Sequence, residues 1–304
     1  MNLDSFIRTP VPPHAFSLDS GSLLYARLNR QRDALERLEL EPLGEGWAQL
    51  GPVGLLSVDT VRLGAAVKGI VARLDKRAAR ASLVVPNAWM RSVVVDVDLL
   101  PRQRGEAEEV LRWRLKKILP CRPDEVRLDY VAGAGDGRVM VVIALDRPMN
   151  AVEQAFAASG VVVGRLEPAV LALAPLLPDA RGANLLTVVE RGALALVLVA
   201  DGRVRLIRHK ALPADTERAS AFVARELSRT VAHAREQEGI AAGLMVQLAC
   251  TDDELRPAVE AWSATEAGVG LAQLTGTDTF GVPTQGIDKV RLWSLLATAA
   301  EGVA

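Results

Sequence analysis

Cysteine is scarce in this chain, and so is any run long enough to cross a bilayer. Two cysteines, Cys121 and Cys250, lie far apart without C-x-x-C spacing, which predicts reduced thiols rather than a disulfide framework. His233 has no Cys, His or Asp partner at ligand spacing, so it predicts no metal site. Nor does one sign of charge dominate. With 36 basic and 37 acidic residues the net charge is −1, which removes a global drive toward nucleic acid or an anionic membrane. No apolar run approaches the ~20 residues of a spanning helix; Leu194–Ala200 is strand-sized. The first residues, Met1–Pro13, carry no basic segment followed by an apolar one, so no secretory signal is expected. These absences predict a soluble, cytoplasmic protein without direct membrane insertion or tandem repeats.

What is present is an ordinary globular composition, half hydrophobic, over 304 residues, enough for two domains. Ala15–Leu28 reads as strand, turn and strand, with Asp19-Ser20-Gly21-Ser22 at the turn. Trp47–Gly51 reads as strand or loop, and Val58–Asp75 as an amphipathic helix with Leu63, Val67, Ile70, Val71 and Leu74 as its apolar stripe. Strand signals at Ser82–Val85 and Arg91–Val97 flank Pro86 and Asn87. A charged helix follows near Glu106–Leu119, stopped by Pro120, and then strands at Val126–Val131 and Val139–Leu145. A helix over Met149–Ser159 closes on Gly160, a strand covers Val161–Arg165, and Pro168–Leu177 forms an apolar helix. Pro178–Asn184 marks a boundary between halves.

The second half opens with strands Leu185–Glu190 and Ala193–Val199. Asp201-Gly202 predicts a two-residue type I′ turn into Arg203–Lys210. That basic, alternating strand reads as a solvated face, the weaker alternative being a stripe for nucleic acid or an acidic partner. A long helix over Asp215–Glu238, a strand at Leu244–Cys250, and helices at Glu254–Ser263 and Gly286–Gly302 complete the chain. Two hairpin-plus-helix halves, the first with an insertion, imply an α/β protein of two lobes.

From Val85 to Leu173 the pattern resembles the type IV pilus assembly protein PilM. The matching pieces are Val85-Pro86, Leu100-Pro101, Ile118-Leu119-Pro120-Cys121, Glu125–Tyr130, Val139–Leu145, Gly160, Glu167-Pro168 and Leu171–Leu173. That family, related in form to FtsA, implies a two-lobed actin-like fold of the actin and sugar-kinase (ASKHA, ribonuclease H-like) class with a small inserted α/β subdomain. The implied division is an extended arm at 1–14, a first lobe from 15–80, the insertion at 81–165, a return helix at 166–184 and a second lobe at 185–304.

The resemblance also assigns the phosphate turns of the fold class. Asp19, Gly21 and Ser22 keep the core of the first, in which backbone N–H groups and a small hydroxyl reach an anion. Leu23, Leu24, Tyr25 and Ala26 stand where the family has a serine run and a lysine. The second turn reads Glu190-Arg191-Gly192, with Glu190 and Gly192 at the matching positions. Two glycine turns are replaced by Lys210–Pro213 and Leu248–Thr251, where proline and side chains block close backbone approach. The resemblance therefore implies ATP and Mg²⁺ binding that is lost or weak.

The function it implies is a non-catalytic cytoplasmic adaptor at the inner-membrane assembly platform of a type IV pilus or type II secretion system. Its partner would be the cytoplasmic tail of a PilN-like membrane protein, with the assembly ATPase and self-association as further options. On the inserted helix, Leu111, Leu115 and Ile118 are expected to pack, whereas Trp113 points the other way at ~100° per residue. Arg112, Trp113, Lys116 and Lys117 form the expected contact surface, the alternative being a tryptophan folded over its neighbours. Besides a free-standing binding module unrelated to pili, which requires the resemblance to be chance, two other readings within the fold class stay open. One is an ATPase or small-molecule kinase using Asp19 and Glu190. The other is the cytoplasmic domain of GspL, although Trp293–Ala304 reads as a natural end.

Overall fold

The structure is a computed structural model that describes residues 11–75, 78–133, 137–178, 182–190, 192–241, 243–274 and 287–300. Most of the arm expected at 1–14 lies outside these residues; His14 already opens the first strand. That strand, β1 (His14–Leu18), turns into β2 (Ser22–Leu28), with Leu18 opposite Leu23 and Phe16 opposite Tyr25. β3 (Leu35–Pro42) then pairs along β2 as an outer strand that the sequence pattern does not signal. Its acids are held by arginines, Glu36 by Arg27 at 3.0 Å and Glu39 and Glu41 by Arg73 at 2.9 and 2.8 Å.

A separate hairpin, β4 (Ala48–Gly51) and β5 (Gly54–Val58), resolves Trp47–Gly51 as strand. It leads into α1 (Thr60–Arg73), whose N-terminus is capped because Asp59 accepts from the Val61 and Arg62 amides. Of the expected stripe, Leu63, Val67 and Ile70 are buried together with Ala66, and Val71 and Leu74 pack partly buried against the same core. β6 (Arg80–Val85) runs parallel to β1.

The chain then leaves this sheet. β7 (Arg91–Asp96), β8 (Val126–Ala132) and β9 (Arg138–Leu145) form an antiparallel sheet of order β7-β9-β8, which shares with α2 (Arg104–Leu115) its own core of Leu111, Leu115, Leu119, Val126, Val141 and Ile143. α3 (Asp146–Ala157) returns to the first sheet, beginning three residues before the expected Met149. Pro148 falls in its first turn, where a missing N–H costs nothing. Phe156 meets Phe16 edge-on at 5.2 Å, within the core that also holds Tyr25, Met149 and Val152. β10 (Val162–Pro168) joins parallel to β6, and the short α4 (Ala169–Leu173) follows in place of a longer Pro168–Leu177 helix.

The first sheet is thus ordered β10-β6-β1-β2-β3. Strands β6 and β10 belong to it, so the insertion drawn at 81–165 narrows to a unit beginning at β7 and ending at β9. Parallel pairing with β1 and β6 decides this.

The second unit repeats the plan. β11 (Ala183–Glu190), β12 (Ala193–Ala200) and β13 (Arg203–Ala211) form a meander, and Asp201 and Gly202 have φ of 51° and 67° as a type I′ turn requires. α5 (Thr216–Gln237), capped by Asp215, covers it through Val223, Leu227 and Val231. β14 (Leu244–Cys250) lies parallel to β11, α6 (Arg256–Thr265) crosses over, and β15 (Val269–Gln273) lies parallel to β14. The order β13-β12-β11-β14-β15 is that of the first sheet.

The last helix, α7 (Lys289–Ala300), corrects the expected division. From Arg291 onward it belongs with the residues up to Pro175, not with the second lobe. Arg291 and Thr298 bond to the first sheet, which draws it there.

Candidate functional site

The β1–β2 turn brings Asp19, Gly21 and Ser22 together as expected, but directs their polar atoms inward. One oxygen of the Asp19 carboxylate, Oδ1, accepts the Gly21 amide at 2.7 Å and the Ser22 amide at 2.6 Å. Such a side-chain-closed turn satisfies the backbone donors that a phosphate would otherwise use. The Gly21 carbonyl accepts from the Leu43 amide at 2.7 Å and the Gly44 amide at 3.1 Å. Trp47 Nε1 donates to the Asp19 carbonyl at 3.2 Å.

The second carboxylate oxygen, Asp19 Oδ2, accepts a short bond from Arg291 Nη1, which also donates to Ser22 Oγ at 2.7 Å. Arg291 Nη2 donates to the carbonyls of Ser17 at 2.5 Å and Ser22 at 3.0 Å, and Nε to Ser17 Oγ at 3.1 Å. Arg291 is 8% exposed and uses all five of its side-chain N–H donors on this turn. Sequence reasoning missed this residue. It lies 272 positions from Asp19 in a helix whose pattern advertises only its apolar face. A phosphate or Mg²⁺ ion at this turn would have to displace bonds already made within the chain.

In the second unit, Glu190 and Gly192 sit at the β11–β12 turn, where Glu190 pairs with Ala193; Arg191 lies outside the described residues. Gly192 has φ of 75° but open space where a Cβ would stand, so backbone conformation rather than close approach demands glycine there. Its carbonyl accepts the Leu212 amide at 2.9 Å. Leu212 packs against the unit's core where the resemblance calls for a glycine pair. At Leu248–Thr251 the Thr251 amide donates to the Val189 carbonyl at 3.1 Å. Asp252 Oδ1 then accepts from the Glu254 and Leu255 amides ahead of α6, and Arg256 Nη2 donates to the Cys250 carbonyl at 3.2 Å. Burial pushes the Cys250 thiol up in pKa, against a smaller opposing effect of its bond to Asp252.

On α2, Leu111 and Leu115 are buried as expected, and Trp113 is 67% exposed rather than folded over its neighbours. Ile118 does not join them. The helix ends at Leu115, whose carbonyl accepts both the Ile118 and Leu119 amides. The change of phase leaves Ile118 50% exposed and buries Leu119 instead. Lys116 and Lys117 are exposed beside Trp113. Arg112 is drawn back, donating to Glu108 at 3.5 Å and to the Val126 carbonyl at 3.4 Å, so its charge is partly used within the insertion.

Among the described residues no three His, Cys, Asp or Glu side chains are grouped to hold a metal ion, and no helix is long and apolar enough to cross a membrane.

No protein-family profile matches this sequence, and no curated protein matches it. Its likeness to solved structures is one of fold. A structure described as the PilM–PilN type IV pilus biogenesis complex covers 95% of this chain and 96% of its own, with a TM-score of 0.68 at 19% identity. A protein of unknown function with an actin-like ATPase fold, from Bacteroides thetaiotaomicron, covers 94% and 96% with a TM-score of 0.55 at 11% identity. The chain therefore has the actin-like fold. Within that fold, the expected resemblance to the pilus assembly protein is found in the structure as well as in the sequence pattern.

Proposed function

We propose that this chain is a non-catalytic adaptor of a type IV pilus, or related type II secretion, assembly platform. It would bind the cytoplasmic tail of a PilN-like membrane protein and so sit on the inner membrane through that partner. The observation that carries this reading is the likeness in fold to a chain solved in a PilM–PilN complex, which spans nearly the whole of both chains.

Two features of the site support it. The insertion, a unit with its own core, presents Trp113 of α2, an exposed aromatic, near the exposed Lys116 and Lys117, a composition suited to a peptide carrying acidic and apolar residues. The Asp19 turn, which an ATPase of this fold would need, has its Gly21 and Ser22 amides and its carboxylate engaged within the chain.

The test is binding of a labelled synthetic cytoplasmic tail of a PilN-like membrane protein, followed by fluorescence anisotropy. Trp113→Ala should weaken binding by roughly tenfold or more, the scale of an aromatic anchor, while leaving the unfolding midpoint unchanged. Lys116→Glu with Lys117→Glu should weaken it further at low salt than at high salt. Absence of tail binding to the unaltered chain would overturn the proposal.

A further inference from the structure

Asp19 and Arg291 together present an unusual economy of bonds. The carboxylate is split, with Oδ1 closing the turn on the Gly21 and Ser22 amides and Oδ2 facing the guanidinium. The guanidinium in turn spans the turn from end to end, from the carbonyl of Ser17 to that of Ser22. The Gly21 and Ser22 amides are already taken within the turn, and the carboxylate that could face a divalent cation already faces a monovalent one. A charge so placed is costly to remove, because its departure takes the ion-pair partner from the partly exposed Asp19 carboxylate and a donor from each of the Ser17 and Ser22 carbonyls.

The cation is also delivered by an anchored element. Thr298 Oγ1 donates to Glu167 Oε1 at 2.6 Å, where β10 ends, and Arg32 Nη1 donates to the Ala299 carbonyl at 3.3 Å. Along α7 the residues from Arg291 to Ala299 are buried except Trp293, which is half-buried. Arg291 is therefore held by the helix that carries it as well as by its ion pair.

We infer that Arg291 is the built-in occupant of the first phosphate turn, an internal cation that closes the turn to nucleotide and Mg²⁺ while fastening α7 to the first sheet. This deepens the non-catalytic part of the proposed function and rests on the reading of Asp19–Ser22 as a phosphate turn. The turn becomes a joint, its geometry fixed by covalently supplied charge instead of by a ligand whose concentration varies.

The test uses the full chain. Unaltered protein titrated with Mg²⁺–ATP, and separately with Mg²⁺ and inorganic triphosphate, should show no calorimetric binding and no rise in unfolding midpoint at millimolar ligand. Arg291→Ala should lower the midpoint by roughly 5–15 °C and speed amide exchange at Ser22–Leu24 and along α7 by tenfold or more. Methylguanidinium at tens of millimolar should recover part of that loss in Arg291→Ala and none in unaltered protein. Arg291→Lys, which keeps the charge with three donors, should fall between the two and serves if Arg291→Ala does not fold. A midpoint raised by Mg²⁺–ATP or triphosphate in the unaltered chain would overturn the inference, as would an Arg291→Lys variant of unchanged stability and exchange. Tail binding is read separately. A turn open to ATP in a chain that still binds the tail sinks the lock alone, and a closed turn in a chain that ignores the tail sinks the adaptor alone.

Discussion

Tyr25 is the residue whose chemistry most clearly reports the first core. Its hydroxyl lies 2.7 Å from His14 Nδ1, and burial pushes its pKa up to about 12 against the opposing influence of Arg27. An unfolded tyrosine ionises near pH 10. Below that value both states hold the proton and the buried phenol contributes its full stability. As pH rises from about 10 to 12 the unfolded chain gives up its proton first, and stability falls by at most about 3 kcal/mol. Denaturant melts at pH 9, 10 and 11 should show this decline, and Tyr25→Phe should remove that part of it. Gly21 makes a second test, because a Cβ there would meet only Asp19 Oδ1 at 4.0 Å. Gly21→Ala should change stability by no more than about 0.5 kcal/mol, measured by the same melts. At this scale the sequence exposed what was local. Asp19, Gly21 and Ser22 lie within four positions and were readable as one turn, whereas their cation comes from the far end of the chain.

Among elements, the root of the insertion is held by a contact that a side chain would destroy. Gly54, in β5, has φ of 132°, and a Cβ added there would come within 2.2 Å of the Trp89 carbonyl oxygen. Trp89 itself packs against Trp47 at 5.4 Å. Gly54→Ala should cost more than about 2 kcal/mol, with faster amide exchange concentrated in β4, β5 and the residues around Trp89. The elements that pattern reading found, α1, α3, α5 and the two hairpins, have apolar periods strong enough to stand alone. β3 and β15 were not found. In β3 four of eight residues carry charge, and arginines from β2 and α1 pair with its acids, so strand pairing there depends on residues supplied by other elements. β15 reads Val-Gly-Leu-Ala-Gln from Val269 to Gln273, with a glycine inside the run and β14 as its one pairing partner among the described residues.

For the whole molecule, the two five-stranded sheets share one strand order although no repeat is visible in the sequence, since strand order is set by which strands pair and not by residue identity. The proposed function makes a prediction at this scale. The purified chain with Mg²⁺–ATP should release phosphate no faster than buffer, in a coupled assay sensitive enough to detect one turnover per hour; sustained release would favour the ATPase reading. The sequence by itself determined the α/β class, the first turn, the apolar faces of the main helices and the pattern that resembles a pilus assembly protein. Each of these rests on neighbours along the chain or on a period of two or 3.6 residues. Only the tertiary structure decided where the insertion begins, that Ile118 leaves the packed face, and that α7 returns to the first sheet to place Arg291 on Asp19. Those outcomes depend on which groups meet across hundreds of residues, and a buried charge finds its partner by geometry that no local pattern records.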